Sequence, residues 1–433
     1  PGRWKAGGAS RWWLHHSLAA LWEKLGGLVL LRGETRAMLR EAVAATGADA
    51  IVWNRCYEPY AVELGRGVVT DMQALGVAAR SFNAALINEP WEVKTLAGKP
   101  YTVFTPYLRA ARQRGVATPV PAPSLNVCSP PKLGLSLDDL GLAPKKPDWA
   151  AGWEGLWRPG EDGARDRLLE FVATDLAGYA TLRDRPDRTN VSRLSAHLHF
   201  GEISPRQAAH TIEARVAAGA ANAEDARKFT SELTWREFNY NLLYHFPTFH
   251  ERNWKQAFDA FPTRDSPGDL HAWQKGLTGY PFVDAGMRQL WATGFIHNRA
   301  RMVAASFLVK HLRIDWRQGE AWFWDTLVDA DLANNASGWQ WVMGSGADAA
   351  PFFRIFNPVE QGRKFDPDGA YVRRWCPELA ALPTQHIHAP FLAPADILGQ
   401  AGVVLGQTYP RPLVEHAQAR AAALAAYEAV RQG

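Results

Sequence analysis

Cysteine is scarce in this chain. Its 433 residues hold three, Cys56, Cys128 and Cys376, far apart and without a C-x-x-C pair. That spacing excludes a disulfide framework, fits a reducing compartment, and so points to the cytoplasm. Three thiols also cannot supply the four thiolates of an iron–sulfur cluster. Long apolar runs are missing as well. The early LVLL at 28–31 is short and follows His, Glu and Lys, so neither a signal peptide nor a membrane anchor is expected. Charge of one sign is not in excess, with 48 Lys and Arg against 44 Asp and Glu and a net charge of +4. Any nucleic-acid site must then be a local basic face. No His and Cys cluster suggests a metal.

Tryptophan, in contrast, is abundant. Between His297 and Pro358 the chain reads HNRARM, IDWRQGEAWFW, DADLANNASGWQW and RIFNP, with Trp316, Trp322, Trp324, Trp339 and Trp341 interleaved with amides, guanidinium groups and carboxylates. Helical cores are filled mostly by Leu, Ile, Val and Ala, and a buried indole needs a partner for its N–H. Such a run therefore suggests a flat aromatic ligand or a redox relay. A Trp-rich core with a capped loop explains the aromatic content equally well.

The length exceeds one core and indicates two domains. The first hundred residues alternate in type: helix over 11–24, strand over 28–31, helix over 35–45, strand over 50–53, helix over 59–75, strand over 78–83. This is a parallel α/β layout. From about 98 to 160 the text becomes Pro-rich and irregular, with TPVPAPS, CSPPK and APKKPDW, as in a surface linker. Strand patterns then vanish, and helix starts such as Ser204 followed by Pro205 imply an all-helical region to the end. The expected division is an α/β domain over 1–98, a linker over 99–160 and a helical domain over 161–433.

The motifs HNRARM, IDW, DADLANN, GWQW and RIFNP, in this order and spacing, resemble the flavin-binding half of the DNA photolyase and cryptochrome family. The resemblance extends to VFTPYLRAAR at 103–112, SRLSAHLHFGEISPRQ at 192–207, ELTWREFNYNLLYHFP at 232–247 and TGYPFVDAGMRQL at 278–290, and so covers nearly the whole chain. The best likeness is to bacterial class I enzymes that repair cyclobutane pyrimidine dimers, and the cysteine count argues against the cluster-containing bacterial branch. The fold implied is a Rossmann-like α/β domain, which binds an antenna, joined to a helical FAD-binding domain. The family's leading strand, with its WFR-type motif, is absent from this sequence, which opens at what corresponds to the first crossover; omission is expected rather than genuine truncation.

The resemblance implies FAD as cofactor, with Tyr179, Ser192, Arg193, Leu194, Ser195, Trp235, Asn298, Arg301, Asp329, Asp331 and Asn335 facing it. Hydroxyls at a helix start, as in NVSRLS, suit a pyrophosphate; Val191 stands where the family carries Thr. Asn335 corresponds to the residue opposite flavin N5, where asparagine fits repair enzymes and aspartate fits plant cryptochromes. Arg301 and Asp329 are expected to pair beside the ring. The implied partner is UV-damaged DNA whose dimer leaves the stack. Trp235 and Trp341 would pack it, with Met302 opposite; Glu232 and Asn298 would bond its polar edge, and Arg299 would hold charge nearby. In the implied reaction excited reduced FAD gives the dimer an electron, the dimer opens as a radical anion, and the electron returns, with Glu232, carrying a raised pKa in a dry pocket, stabilising the anion.

Family members reduce their flavin through three tryptophans. Trp339 and Trp316 match the first two. Thr263 stands where the third is expected, so the relay must stop at Trp316 or branch to Trp254, Trp273 or a tyrosine. WNRCYEP at 53–59 resembles an antenna loop for folate or deazaflavin, with Glu58 as its polar contact. Two other readings are a cryptochrome-type photoreceptor without repair activity and a (6-4) photolyase; HNRARM offers the latter only His297 where a His pair is expected. The protein is expected to be a monomer.

Overall fold

The structure is a computed structural model and describes residues 2–124, 133–348 and 353–432. Cys128 lies outside them. The chain divides into two compact units: Pro1–Ala177, Ser192–Thr248 and Val328–Ala333 form the first, and Gly178–Val191, Phe249–Leu327 and Asn334–Gly433 the second.

The first unit opens with helices α1 (Gly8–Leu25) and α2 (Thr35–Thr46), strand β1 (Ala50–Asn54), helix α3 (Pro59–Ala74) and strand β2 (Ala78–Phe82). The two strands pair in parallel from Ala50 with Ala78 to Asn54 with Phe82, the crossover running through α3. Pro59 starts that helix, where its missing N–H costs nothing. Val68, Met72 and Val77 form a small core with Leu39, Val43, Ile51, Trp53, Leu64 and Ala79, so period-2 strand residues meet period-3.6 helix residues. The expected α/β layout is present, as a two-stranded sheet.

Two expectations need correction. Residues 28–31 form no strand. A strand requires a ladder, and among the described residues Leu30 has a single bond, from the Leu135 N–H to its carbonyl at 2.7 Å, beside Gly134. Glycine is needed there: its φ is +115°, and a Cβ would lie 2.9 Å from the Leu30 carbonyl oxygen. Nor is 99–160 irregular throughout, because α4 spans Phe104–Arg114. Pro106 falls in its first turn, where proline is tolerated. Phe104, Tyr107 and Ala111 recur on one face and are buried, with Phe104 and Tyr107 against Phe238 of helix Ala223–His245.

From 161 onward the described residues contain helices and no strand beyond the isolated bridge of Leu405 with Tyr409. Ser204 caps its helix as expected and forms a reciprocal capping box with Gln207. No helix among the described residues is long and apolar enough to cross a membrane.

The TGYPFVD segment organises the second unit. Asp284 is fully buried and accepts from the Thr278 N–H at 2.7 Å, the Thr278 hydroxyl at 2.6 Å, the Gly279 N–H at 3.0 Å and the Tyr409 hydroxyl at 2.6 Å. Gly279 has φ +78°, and a Cβ there would stand 2.5 Å from the Arg411 backbone. Removing the carboxylate strands its donors in an apolar interior, so Asp284→Ala should cost roughly 3 kcal/mol or more. An unchanged denaturation midpoint would refute that account.

Three buried histidines in this unit make stability depend on pH. Burial pushes His297 and His388 down to about 4 and His311 down to about 3, from an ordinary 6.5. Rings that stay neutral when folded but take up protons when unfolded contribute stability fully present above pH 6.5, lost as pH falls toward 4. The loss per ring is on the order of 3 kcal/mol. The thermal midpoint should therefore fall steeply between those pH values, and less steeply in His388→Gln. Equal slopes for both proteins would count against His388.

Candidate flavin and substrate site

In the first unit, the NVSRLS turn is pinned from behind. Arg167 donates from Nε to the Ser192 carbonyl at 2.9 Å and from Nη2 to Asp175 at 2.5 Å. Arg193 adopts φ +53°, unusual for a residue with a Cβ, and its guanidinium stands 6.0 Å from the Trp157 ring centre. Leu194 is buried, the Ser192 hydroxyl accepts weakly from the Leu194 N–H at 3.4 Å, and Ser195 is exposed at the start of helix Ser195–His199. The turn thus holds two hydroxyls on a fixed backbone.

Asp331 lies at the centre of a second cluster. The Tyr240 hydroxyl donates to it, and His199 Nδ1 stands 3.7 Å away, an ion-pair distance. Burial favours its neutral form, but His199, Arg236 and the Tyr240 hydroxyl together outweigh burial and hold the carboxyl well below the usual range. Glu58 belongs to the same cluster, where burial and the Asp331 charge push its carboxyl up. A residue expected at an antenna and one expected at the flavin are therefore electrostatic neighbours. Asp329 is half-buried near the same segment.

Helix Ala223–His245 carries Glu232 and Trp235 one turn apart. Trp235 stacks on Phe104 with ring centres 3.5 Å apart and planes 10° from parallel. The dry pocket expected around Glu232 is not found: its side chain is 28% exposed and pairs with Lys228 at 2.9 Å, the i,i+4 spacing of a solvated helix face. Glu237, further along this helix, is an enclosed acid: it accepts from the Asn88 N–H at 2.6 Å and is pushed up to about 7 by burial. Sequence reading passed over it; the one available signal is a charged residue inside the apolar stretch of ELTWREFNY.

In the second unit, His297 caps helix Asn298–Ser306, its Nδ1 accepting from the Arg299 N–H at 3.1 Å. The ring is a buried, neutral cap. Behind it Asn298, Arg299 and Met302 converge: Asn298 Nδ2 and Arg299 Nη1 each lie 3.9 Å from Met302 Sδ. Arg299 also pairs with Asp184 at 2.6 Å and covers the Phe365 ring at 4.3 Å. Asn298 is exposed and Arg301 half-buried. Tyr179 is buried beneath the Arg183 guanidinium, 5.6 Å from its ring centre.

Helix Leu332–Met343 supplies Asn335, Trp339 and Trp341. Asn335 is nearly buried and donates from Nδ2 to the Glu320 carbonyl at 3.1 Å, which fixes the amide plane. Trp339 packs against Phe323 at 5.0 Å and Trp273 at 6.1 Å, and its buried N–H has no hydrogen-bond partner among the described residues. Gly319 permits this packing, because a Cβ there would lie 2.1 Å from Trp339 Cη2. Two positions on, Trp341 turns to the opposite helix face and is half-buried. Trp316 is buried, donates to Asn253 Oδ1 at 3.1 Å and lies under the Arg317 guanidinium at 4.7 Å. Trp273, considered as a terminal donor, is fully buried, whereas Trp254 is half-buried.

Taken unit by unit, these groups are of a kind that suits a flavin: a fixed amide and a buried indole with no N–H partner among the described residues in the second unit, and hydroxyls on a rigid turn in the first. Among the described residues no group of three or more His, Cys, Asp or Glu could hold a metal ion.

Residues 229–429 match the FAD binding domain of DNA photolyase, and residues 1–124 match DNA photolyase. A deoxyribodipyrimidine photo-lyase of Agrobacterium fabrum is 51% identical over 98% of this chain and 90% of its own length. Cryptochrome-1 of Arabidopsis thaliana is 39% identical over 97% of this chain and 63% of its own. The crystal structure of a bacterial class III photolyase from Agrobacterium tumefaciens superposes with a TM-score of 0.95 at 49% identity, covering 99% of this chain and 89% of that one. The chain belongs to the DNA photolyase and cryptochrome family, carries that family's FAD-binding domain, and aligns with its deoxyribodipyrimidine photo-lyases.

Proposed function

We propose that the protein repairs cyclobutane pyrimidine dimers in UV-damaged DNA by light-driven electron transfer, as a cytoplasmic monomer. Functionally, 1–98 would serve as the antenna-type domain, 99–160 as linker and 161–433 as the flavin and repair domain. The observation carrying the reading is the convergence of Asn298, Arg299 and Met302 at one helix start, a polar, cationic and apolar trio matching the edge, charge and face of an extruded dimer. Half-buried Trp235 and Trp341 would add aromatic faces. Bound, reduced FAD supplies the excited-state electron.

The chain's own residues position and neutralise. Ser192, Arg193, Leu194 and Ser195 would hold the pyrophosphate through hydroxyls and backbone, and Tyr179, Arg301, Asp329 and Asp331 would line the cofactor. Asn335, its Nδ2 taken by Glu320, would present its carbonyl toward N5. Glu232 would bond the dimer's polar edge, and docking would exclude the water that now reaches it. An antenna, folate or deazaflavin, would meet Glu58.

Both alternatives have less support. Asn335 is not the aspartate expected of plant cryptochromes. For (6-4) repair, the neutral His297 is committed to capping. Class I motifs and a class III solved relative lead to the same repair reading.

Purified protein should carry FAD near one per chain and remove dimers from UV-treated oligothymidine under blue light but not in the dark. No light-dependent repair despite bound FAD would favour the photoreceptor. Glu232→Ala should retain FAD and much of its affinity for damaged DNA while lowering repair yield; parental yield would exclude the anion-stabilising role.

Gly319→Ala probes the relay, since the added methyl overlaps Trp339. Overpacking of this kind costs about 1–3 kcal/mol and shifts the ring. Photoreduction of oxidised flavin should slow, while repair by chemically reduced enzyme stays near parental. Equal photoreduction rates would place the electron path elsewhere than Trp339.

A further inference from the structure

Thr263 and Trp316 line one cavity of about 80 Å³, together with Asn253, Asp259, Ile314 and Arg317. Buried Phe258 and Phe261 give it an apolar floor, while polar groups, with Thr263 and Asp259 exposed among them, make up most of its lining and its mouth. Trp316 reaches it with its N–H already given to Asn253 Oδ1, and Asn253 Nδ2 in turn donates to Asp259 Oδ1 at 2.7 Å. The indole expected at 263 is absent, and the space beside Trp316 is reachable from solvent.

We propose that this cleft binds a small neutral phenol, whose ring takes the place of the missing indole and reduces Trp316. The volume is about half of the roughly 150 Å³ that encloses a benzene. A single ring therefore seats by one edge among Phe258, Phe261 and Ile314 and leaves its hydroxyl at the rim, where the Asp259 carboxylate accepts it. Arg317 pairs with Asp315 at 3.2 Å, so the Asp259 carboxylate at the rim repels a phenolate and accepts from the neutral phenol.

The inference rests on the flavin reading, in which light draws an electron inward through Trp339 and Trp316. The oxidised Trp316 takes one electron from the phenol ring. The phenol O–H bond breaks, its proton passes to Asp259 and then to water, and a phenoxyl radical leaves. Trp316 returns to its closed shell. Charge recombination, fast for a hole stranded this close to the flavin, is then intercepted without a third tryptophan.

The test uses 4-fluorophenol with the full, FAD-loaded chain. Its fluorine resonance should broaden saturably with the parental protein and with Thr263→Ala, and stay sharp with Thr263→Trp or Thr263→Leu, which fill the cleft. In parallel, the yield of flavin photoreduction should saturate with phenol at the same concentration in the parental protein and be high and phenol-independent in Thr263→Trp. Unsaturable broadening that is equal in all variants, or photoreduction rising linearly with phenol in all of them, would mean bulk collision and overturn the proposal. A chain that takes up no FAD would instead overturn the proposed function, while the fluorine measurement would still decide whether the cleft binds phenol.

Discussion

A carboxylate moved out of water must be met by donors or by positive charge, or must take a proton, and both compact units are arranged around that requirement. Asp284 is met by two backbone N–H groups and two hydroxyls, which ties TGYPFVD to Tyr409, far along the chain. Asp331 is met by Tyr240, His199 and Arg236 and keeps its charge. Glu237 is met by the Asn88 amides, the Ile87 backbone and the Arg236 charge, yet burial outweighs them and leaves it poised near neutrality. Burial pushes Asp284 and Glu237 up despite their donors, whereas His199, Arg236 and the Tyr240 hydroxyl hold Asp331 down, and only Asp331 belongs to the residues expected at the cofactor.

The tryptophans meet a related constraint. An indole fills a core economically, but its N–H must be satisfied or left at a cost. Trp273 and Trp316 are satisfied by Ala304 and Asn253. Trp339 is not, and it is held by close packing on Phe323 and over Gly319 instead. Packing and electron relay need not compete as explanations here: rings close enough to exclude water are also close enough to exchange electrons.

Local chemistry determined what could be read ahead. Helices over 8–25, 35–46 and 59–74 and the strands that follow the second and third were legible from periodicity, and Ser204–Pro205 from capping chemistry. That 28–31 forms no strand was not, because pairing is non-local and, among the described residues, the Leu30 carbonyl meets the Leu135 N–H instead of a ladder. Helix Phe104–Arg114 was masked by the prolines around it. At the site, ordered motifs located Asn298, Arg299, Met302 and Asn335, while the surroundings of Glu232 and the burial of Glu237 depend on helix azimuth and tertiary packing. Two residues five positions apart on one helix thus differ in exposure for reasons no spacing rule supplies.

The neighbourhood of Glu58 and Asp331 takes this one step further. Two carboxylates in one buried cluster cannot both stay charged cheaply, and the one with cationic partners keeps its charge. Asp331 has His199, Arg236 and the Tyr240 hydroxyl, so Glu58 yields and holds its proton more tightly. Discharging Asp331 would remove the smaller of the two pressures on Glu58 and leave burial, the larger, in place, so the two carboxylates of the first unit are coupled through charge while burial alone still holds Glu58 up.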